Sequence, residues 1–135
     1  MSIILSITIP NEIIYKNTIE EVILPSLTGQ IGVLTDHTAA IVALDIGIVR
    51  IKETSLDNWI PILILGGLAE IENNIVRLVI SDYEKISKDD YQKDLNELEV
   101  NNKKLMNITD SKEKIKISTN IKRIMMRLEG HRILI

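Results

Sequence analysis

WIPILILGGLAEIENNIVRLVIS, residues 59–81, is the stretch whose reading decides the fold. Its first ten residues are the longest apolar piece of the chain, but Pro61 and two glycines make them strand rather than membrane span. Pro61 also predicts a place near a sheet edge or a bulge. Gly66-Gly67 breaks the run, as a bulge or a close strand approach would. Residues 68–72 and 75–81 follow as two more strands. Asn73-Asn74 joins them, and two Asn residues between β-rich runs suit a tight hairpin because Asn tolerates positive φ.

Upstream the same pattern continues. Ile3, Leu5, Ile7 and Ile9 fall on one face, with Ser6 and Thr8 on the other, until Pro10-Asn11 ends the strand. Residues 12–17 and 19–24 read as two further short strands, and residues 41–44 as a short apolar one. Asp45-Ile46-Gly47 is a turn-like interruption. Residues 48–52 alternate again, with Arg50 and Lys52 facing water. Residues 56–58 read as a hairpin tip. No helical period competes before Asp82. About eight to ten short strands with closely spaced turn signals predict an antiparallel β-sandwich or barrel.

Downstream the period changes. Ser87 can cap a helix, with Asp89 and Asp90 in its first turn, where negative charge suits the helix dipole. Tyr91, Leu95, Leu98 and Leu105 then make one apolar stripe, interrupted at Asn102. Residues 107–111 form a polar break. Ile117, Ile121, Ile124 and Leu128 make a second stripe, widened by Met125, and Gly130 is a natural stop. The expectation is a sandwich over residues 1–86 and an antiparallel two-helix hairpin over residues 87–135. Both stripes are narrow, so the hairpin is weakly held and able to separate from the sandwich.

With 135 residues and 45% hydrophobic content, the chain can build one modest core and an appendage. Phe is absent, so that core is aliphatic. Cys is absent too, which excludes disulfides, thiol catalysis and zinc–thiolate sites. No run of about 18 apolar residues and no signal-like start occur, which predicts a soluble or peripheral protein. The net charge of −3 hides an asymmetry: residues 1–86 are near −6 and the remainder near +3. A change of sign at one boundary predicts different partners for the two segments.

No catalytic or metal-binding set assembles from these residues. Asp36 and His37 sit at an exposed corner, where His37 reads as a surface histidine in a turn. The only other histidine, His131, is far away in the chain. Gly66-Gly67 lacks the Lys-Ser/Thr of a phosphate loop. Lys112, Lys114, Lys116, Lys122, Arg123, Arg127 and Arg132 make the last helix basic, either as a solvated face or as a docking face for an acidic protein. Nucleic acid fits less well, because no aromatic residues interleave for stacking and the chain is acidic overall. Read from the residues alone, the chain is a β-sandwich carrying a weak helical hairpin with no enzyme site, and one function open to it is that of a stand-alone module whose basic helices bind an acidic protein or RNA.

Three linked motifs carry a resemblance. TGQIGVLTDH at residues 28–37, IGIVRI at residues 46–51, and GGLAEI at residues 66–71 with Asn73-Asn74 resemble, in order and spacing, the epsilon subunit of F-type ATP synthases. The Asn-Asn hairpin and the Glu84-Lys85 junction look most like the plastid form. The resemblance implies a non-catalytic rotor subunit of the central stalk, peripheral on the stromal side of the thylakoid membrane, or on the cytoplasmic side of a bacterial inner membrane. Its sandwich would bind gamma and stand on the c ring, with Gln30 and Ile31 at the ring and Asp36 and His37 near gamma. Ala39 stands where the family has proline. The extended hairpin would set its basic residues, Lys112, Lys114, Lys122, Arg123 and Arg127 among them, against acidic loops of the β subunits and restrain ATP hydrolysis. Bacterial members bind ATP through an Asp, an Arg three residues on, and then Ala. Here those positions are Asp90, Lys93 and Asp94, which implies no cofactor and weak or absent ATP binding.

Overall fold

The computed structural model describes residues 2–54, 58–87 and 90–134. The first two residues of the expected hairpin tip at 56–58 lie outside them. Among the described residues, seven strands precede two helices: β1 (Ile3–Ile9), β2 (Glu12–Ser26), β3 (Gly29–Val33), β4 (Ala40–Glu53), β5 (Trp59–Glu72), β6 (Ile75–Ile80), β7 (Tyr83–Lys85), α1 (Tyr91–Asn107) and α2 (Ser111–Leu134). The order is β1-β6-β5-β4-β2-β3, with β7 on β5 and β1 returning to β2, so the sheet closes on itself. The pairings are antiparallel except β1 with β6, which run parallel from Ile4↔Ile75 to Thr8↔Val79.

Strands expected as separate short pieces are continuous. Residues 12–17 and 19–24 belong to β2, 41–44 and 48–52 to β4, and 59–65 and 68–72 to β5. The interruptions that the sequence offers are bends, which carry one strand from layer to layer. In β4 and β5 the bend falls at Asp45 opposite the Gly66-Gly67 pair, where Leu44 partners Gly67 and Ile46 partners Leu65. Gly66 and Gly67 have φ of 86° and 153°. A Cβ on Gly67 would strike the Val79 carbonyl and lie 2.8 Å from Ile80 Cα, so only glycine lets β6 approach there. Pro61 sits just outside the Ile62–Ile64 pairing with β7, at the sheet edge that its missing N–H calls for. Asn73 and Asn74, at φ 52° and 61°, form the two-residue turn between Glu72 and Ile75.

Alternation fills the interior. Ile3, Leu5 and Ile7 of β1 are fully buried while Ile4 between them is exposed, and the aliphatic core continues through Val22, Leu24, Ile51 and Leu78. A second, smaller cluster of Ile48, Leu63 and Ile86 lies on the outer face of the sheet and receives Met126, Ile133 and Leu134 of α2. That cluster is the seat of the hairpin.

The hairpin differs from its expected outline in three places. First, α1 begins at Tyr91 with Asp90 as its N-cap, and Asp90 makes no side-chain capping bond. Residue 89, expected in the first turn, lies outside the described residues. Second, the position facing α2 is Asn101, which is buried; Asn102 points to solvent. Third, α2 does not stop at Gly130 but runs through it to Leu134. Gly130 is buried because the helix backbone lies directly on Ile86, and a Cβ there would collide with Ile86 Cδ1. The break expected at residues 107–111 is narrower, residues 108–110, because Asn107 still ends α1 and Ser111 already begins α2; Asp110 caps α2 by accepting from Lys112 N at 3.1 Å.

Candidate partner-binding site

Arg123, Arg127 and His131 follow one another at four-residue spacing and so share one face of α2. Facing them are Glu84 from β7 and Asp90, Asp94 and Glu97 from the start of α1. Arg123 donates to Glu84 Oε1 at 2.6 Å and lies 3.8 Å from Glu97. Arg127 Nε donates to both Asp94 oxygens at 3.2 Å, and its other nitrogens lie 3.5 Å from Asp90 and 3.8 Å from Glu84. Asp94 is 3% exposed and His131 2%. Their contact is 2.8 Å, with His131 Nε2–H donating to the carboxylate, and the Tyr91 ring packs perpendicular to the imidazole with centroids 5.6 Å apart. Burial removes the Asp94 and Arg127 charges from water, so the pairing has to be good to be tolerated, and Asp94 meets that need by engaging both its oxygens.

The network continues up the hairpin through neutral amides. Asn101 donates to the Glu97 carbonyl at 2.8 Å and accepts from Asn120 at 3.2 Å, while Asn120 accepts from Arg123 at 2.7 Å. On the other side of α2, Arg50 reaches Glu129 at 3.5 Å and Lys122 lies 4.0 Å from Asp45. These outer pairs are partly exposed and add little. Between α2 and the sheet, Ile46, Leu65, Lys116, Ile117, Asn120 and Arg123 line an open groove of about 450 Å³.

The sequence-derived candidates fall into separate places. Lys112, Lys114 and Lys116 are exposed near the tip of the hairpin, with no ion pair among the described residues. Arg123 and Arg127 are held inside the network, at 26% and 11% side-chain exposure. Of the three positions aligned with a nucleotide motif, Asp90 and Asp94 hold Arg127, and Lys93 points to solvent. Gln30 and Ile31 lie on β3, beyond the β2–β3 turn, where Gln30 is exposed and Ile31 half-buried. Asp36 and His37 lie past the other end of β3. Asp36 has φ 63°, and its backbone N–H donates to Asn74 Oδ1 at 2.6 Å, which ties this loop to the Asn-Asn hairpin. His37 Nδ1 meets the Thr38 carbonyl at 2.7 Å. Glu84, Asn101, Asn120 and His131 are network members that sequence reasoning missed. The repeat of basic residues every fourth position was the available signal for His131.

Among the described residues no three His, Cys, Asp or Glu come together as a metal site, and no helix is long and apolar enough to cross a membrane. The architecture defines a class: a closed β-sandwich bearing a two-helix hairpin that is clamped to it by ion pairs. Residues 2–86 match the family model described as ATP synthase, Delta/Epsilon chain, beta-sandwich domain. The chain belongs to that family, and specifically resembles its epsilon chains. It is 33% identical to the chloroplastic ATP synthase epsilon chain of Cyanidium caldarium, over 96% of both chains. It is 41% identical to that of Thalassiosira pseudonana over 90% of both, and 39% identical to that of Guillardia theta over 96% of this chain and 98% of the other. The same fold occurs in a chain of the Euglena gracilis mitochondrial ATP synthase, in a structure of its OSCP/F1/c-ring, with a TM-score of 0.75 and 21% identity over 98% of this chain and 79% of that one.

Proposed function

We propose that this chain is a non-catalytic central-stalk subunit of a plastid F-type ATP synthase, which couples rotation of the c ring to ATP synthesis and whose hairpin restrains ATP hydrolysis. The observation that carries the reading is the end-to-end match to chloroplastic epsilon chains, hairpin included. The site lies on the stromal side of the thylakoid membrane. The sandwich is built for force: its sheet closes, so shear between strands is resisted all round. Gln30 and Ile31 meet the c ring, and Asp36 and His37 lie against gamma. Supporting the gamma contact, Ile41, Leu68 and Val79 are exposed apolar residues on the outer sheet face, and Leu68 and Val79 are direct cross-strand partners. Such a stripe suits a permanent protein neighbour.

The basic residues of α2 face acidic loops of the β subunits when the hairpin extends. Neutralising Arg123 or Arg127 also breaks the clamp, so the cleaner test is Lys112→Gln, Lys114→Gln and Lys116→Gln together. In a reconstituted complex this triple variant raises ATP hydrolysis while gamma and the c ring still co-purify. Unchanged hydrolysis removes the docking role; loss of co-purification removes the rotor assignment of the separate surfaces. ATP itself finds no free site at residues 90–94, because the Asp94 carboxylate stands where an anionic ligand would need an open cation. Titration calorimetry in the micromolar range gives no saturable heat; a saturable isotherm refutes this.

A further inference from the structure

The turn between β5 and β6 and the loop after β3 are tied to each other across 38 residues of sequence. Asp36 N–H donates to Asn74 Oδ1 at 2.6 Å, and Asn74 Nδ2 donates back to Asp36 Oδ1 at 3.4 Å. The Asn74 carbonyl accepts from Ile4 N at 2.9 Å, so the same residue also holds the start of β1. Both residues have left-handed backbone, at φ 63° and 61°, which Asp and Asn tolerate. His37 comes next. Its Nδ1 lies 2.7 Å from the Thr38 carbonyl, and a carbonyl can only accept. Nδ1 therefore carries the proton, and the neutral ring keeps its lone pair at Nε2. Among the described residues no group bonds to Nε2 or to Asp36 Oδ2. Leu34, His37 and Asn74 line one small recess over the buried Ile3 and Val76.

Two uncommitted acceptors and one negative charge thus stand at one corner of the sandwich. We propose that Asn74 is a positioning residue, which holds Asp36 and His37 as a paired acceptor site for an arginine side chain of the stalk partner. The proposal rests on the gamma contact stated above and names its chemistry. A guanidinium offers five donors in a fixed plane, so it can serve a carboxylate oxygen and an imidazole nitrogen at once; a lysine ammonium matches such a pair less well. Residues 1–86 carry a charge near −6, which draws a cationic surface toward this part of the chain. Leu34, exposed beside the pair, gives the aliphatic stem of an arginine something to lie on. Asn74 need not touch the partner. Residues 34–39 lie between β3 and β4, outside the strand pairings. Without the Asn74 side chain that loop would have to order as the partner binds, and binding would weaken.

The test titrates the labelled full chain onto a reconstituted complex from which this chain has been left out, at several salt concentrations. Asp36→Asn and His37→Phe each weaken binding by about tenfold or more, the loss expected of one charge-assisted hydrogen bond. Asp36→Asn also flattens the salt dependence, because it removes the charge. Asn74→Gly weakens binding to a similar degree and keeps the salt dependence. Glycine suits the left-handed turn and retains the backbone bond to Ile4, so this variant folds. In the free Asn74→Gly chain, hydrogen exchange quickens at residues 34–39 while the strands keep their protection. Unaltered binding of Asn74→Gly overturns the positioning role, as does loss of protection throughout its sandwich. Weaker binding of Asp36→Asn with unaltered salt dependence overturns the cationic partner. Full affinity of both Asp36→Asn and His37→Phe places gamma elsewhere and removes the proposal with that contact. Failure of the unaltered chain to bind removes the rotor reading itself.

Discussion

Tyr15 shows how one side chain reports on the sandwich. Its hydroxyl donates to Glu53 Oε1 at 2.7 Å, linking β2 to the end of β4. Burial, and then the neighbouring Glu53 carboxylate, raise its pKa well above the usual phenol value, because ionisation would place a second anion in a half-buried spot. A raised folded-state pKa contributes stability that is fully present below the unfolded value of about 10 and is lost as pH rises beyond it. Denaturant midpoints measured from pH 9 to 11 therefore fall for the native chain, and fall less steeply for Tyr15→Phe. Equal slopes would mean that the phenol is no more protected in the fold than in the unfolded chain.

Helix α2 is shaped by the need to sit close to the sheet. Gly130 is a weak helix former, costing about 1 kcal/mol relative to Ala, yet it lies inside the helix. Gly130→Ala should strengthen the free helix by that amount and overpack the seat on Ile86, at a cost of about 1–3 kcal/mol. The propensity gain is shared by the docked and the undocked helix, so the overpacking alone tips the balance toward the undocked hairpin. Because the chain has no Cys, spin labels at introduced cysteines replacing Thr28 and Ser118 can follow it, and the variant shows a broader, longer distance distribution than the native chain. An unchanged distribution would place the room for a methyl at Gly130 after all. Here the limit of sequence reading is plain. Period-2 alternation in β1 and the Asn73-Asn74 turn were legible because each rests on neighbours in the chain. Gly130 as a seat, Asn101 rather than Asn102 as the inward residue, and Asp94 as the hub of a network were not legible. Their partners, Ile86, Asn120, Arg127 and His131, lie 19 to 44 residues away in sequence. Likewise Asp45 and Gly66-Gly67 looked like strand ends, because a local pattern cannot tell a bend between layers from a stop. The basic stretch of α2 read as one surface, although its arginines and its tip lysines do different work.

At the scale of the whole molecule, the two parts are unequal. All the pairings that close the sheet lie within residues 3–85. Among the described residues the hairpin adds one fully buried aliphatic side chain, Ile124, and it covers the small cluster around Leu63. A chain ending at residue 86 should keep a β-type circular dichroism spectrum and unfold cooperatively, at a somewhat lower denaturant midpoint. Loss of the cooperative transition would show that the helices are part of the folding unit. The parallel seam between β1 and β6 has a consequence for synthesis. The strand made first must wait for one made some seventy residues later, and loop closure over that span is slow compared with the formation of local hairpins. While the ribosome is still working through β4 and β5, the β1–β2 hairpin can form, but one edge of β1 stays bare and rich in isoleucine. The nascent chain is thus most prone to aggregation just before its sixth strand emerges, and a chaperone would find its binding site there.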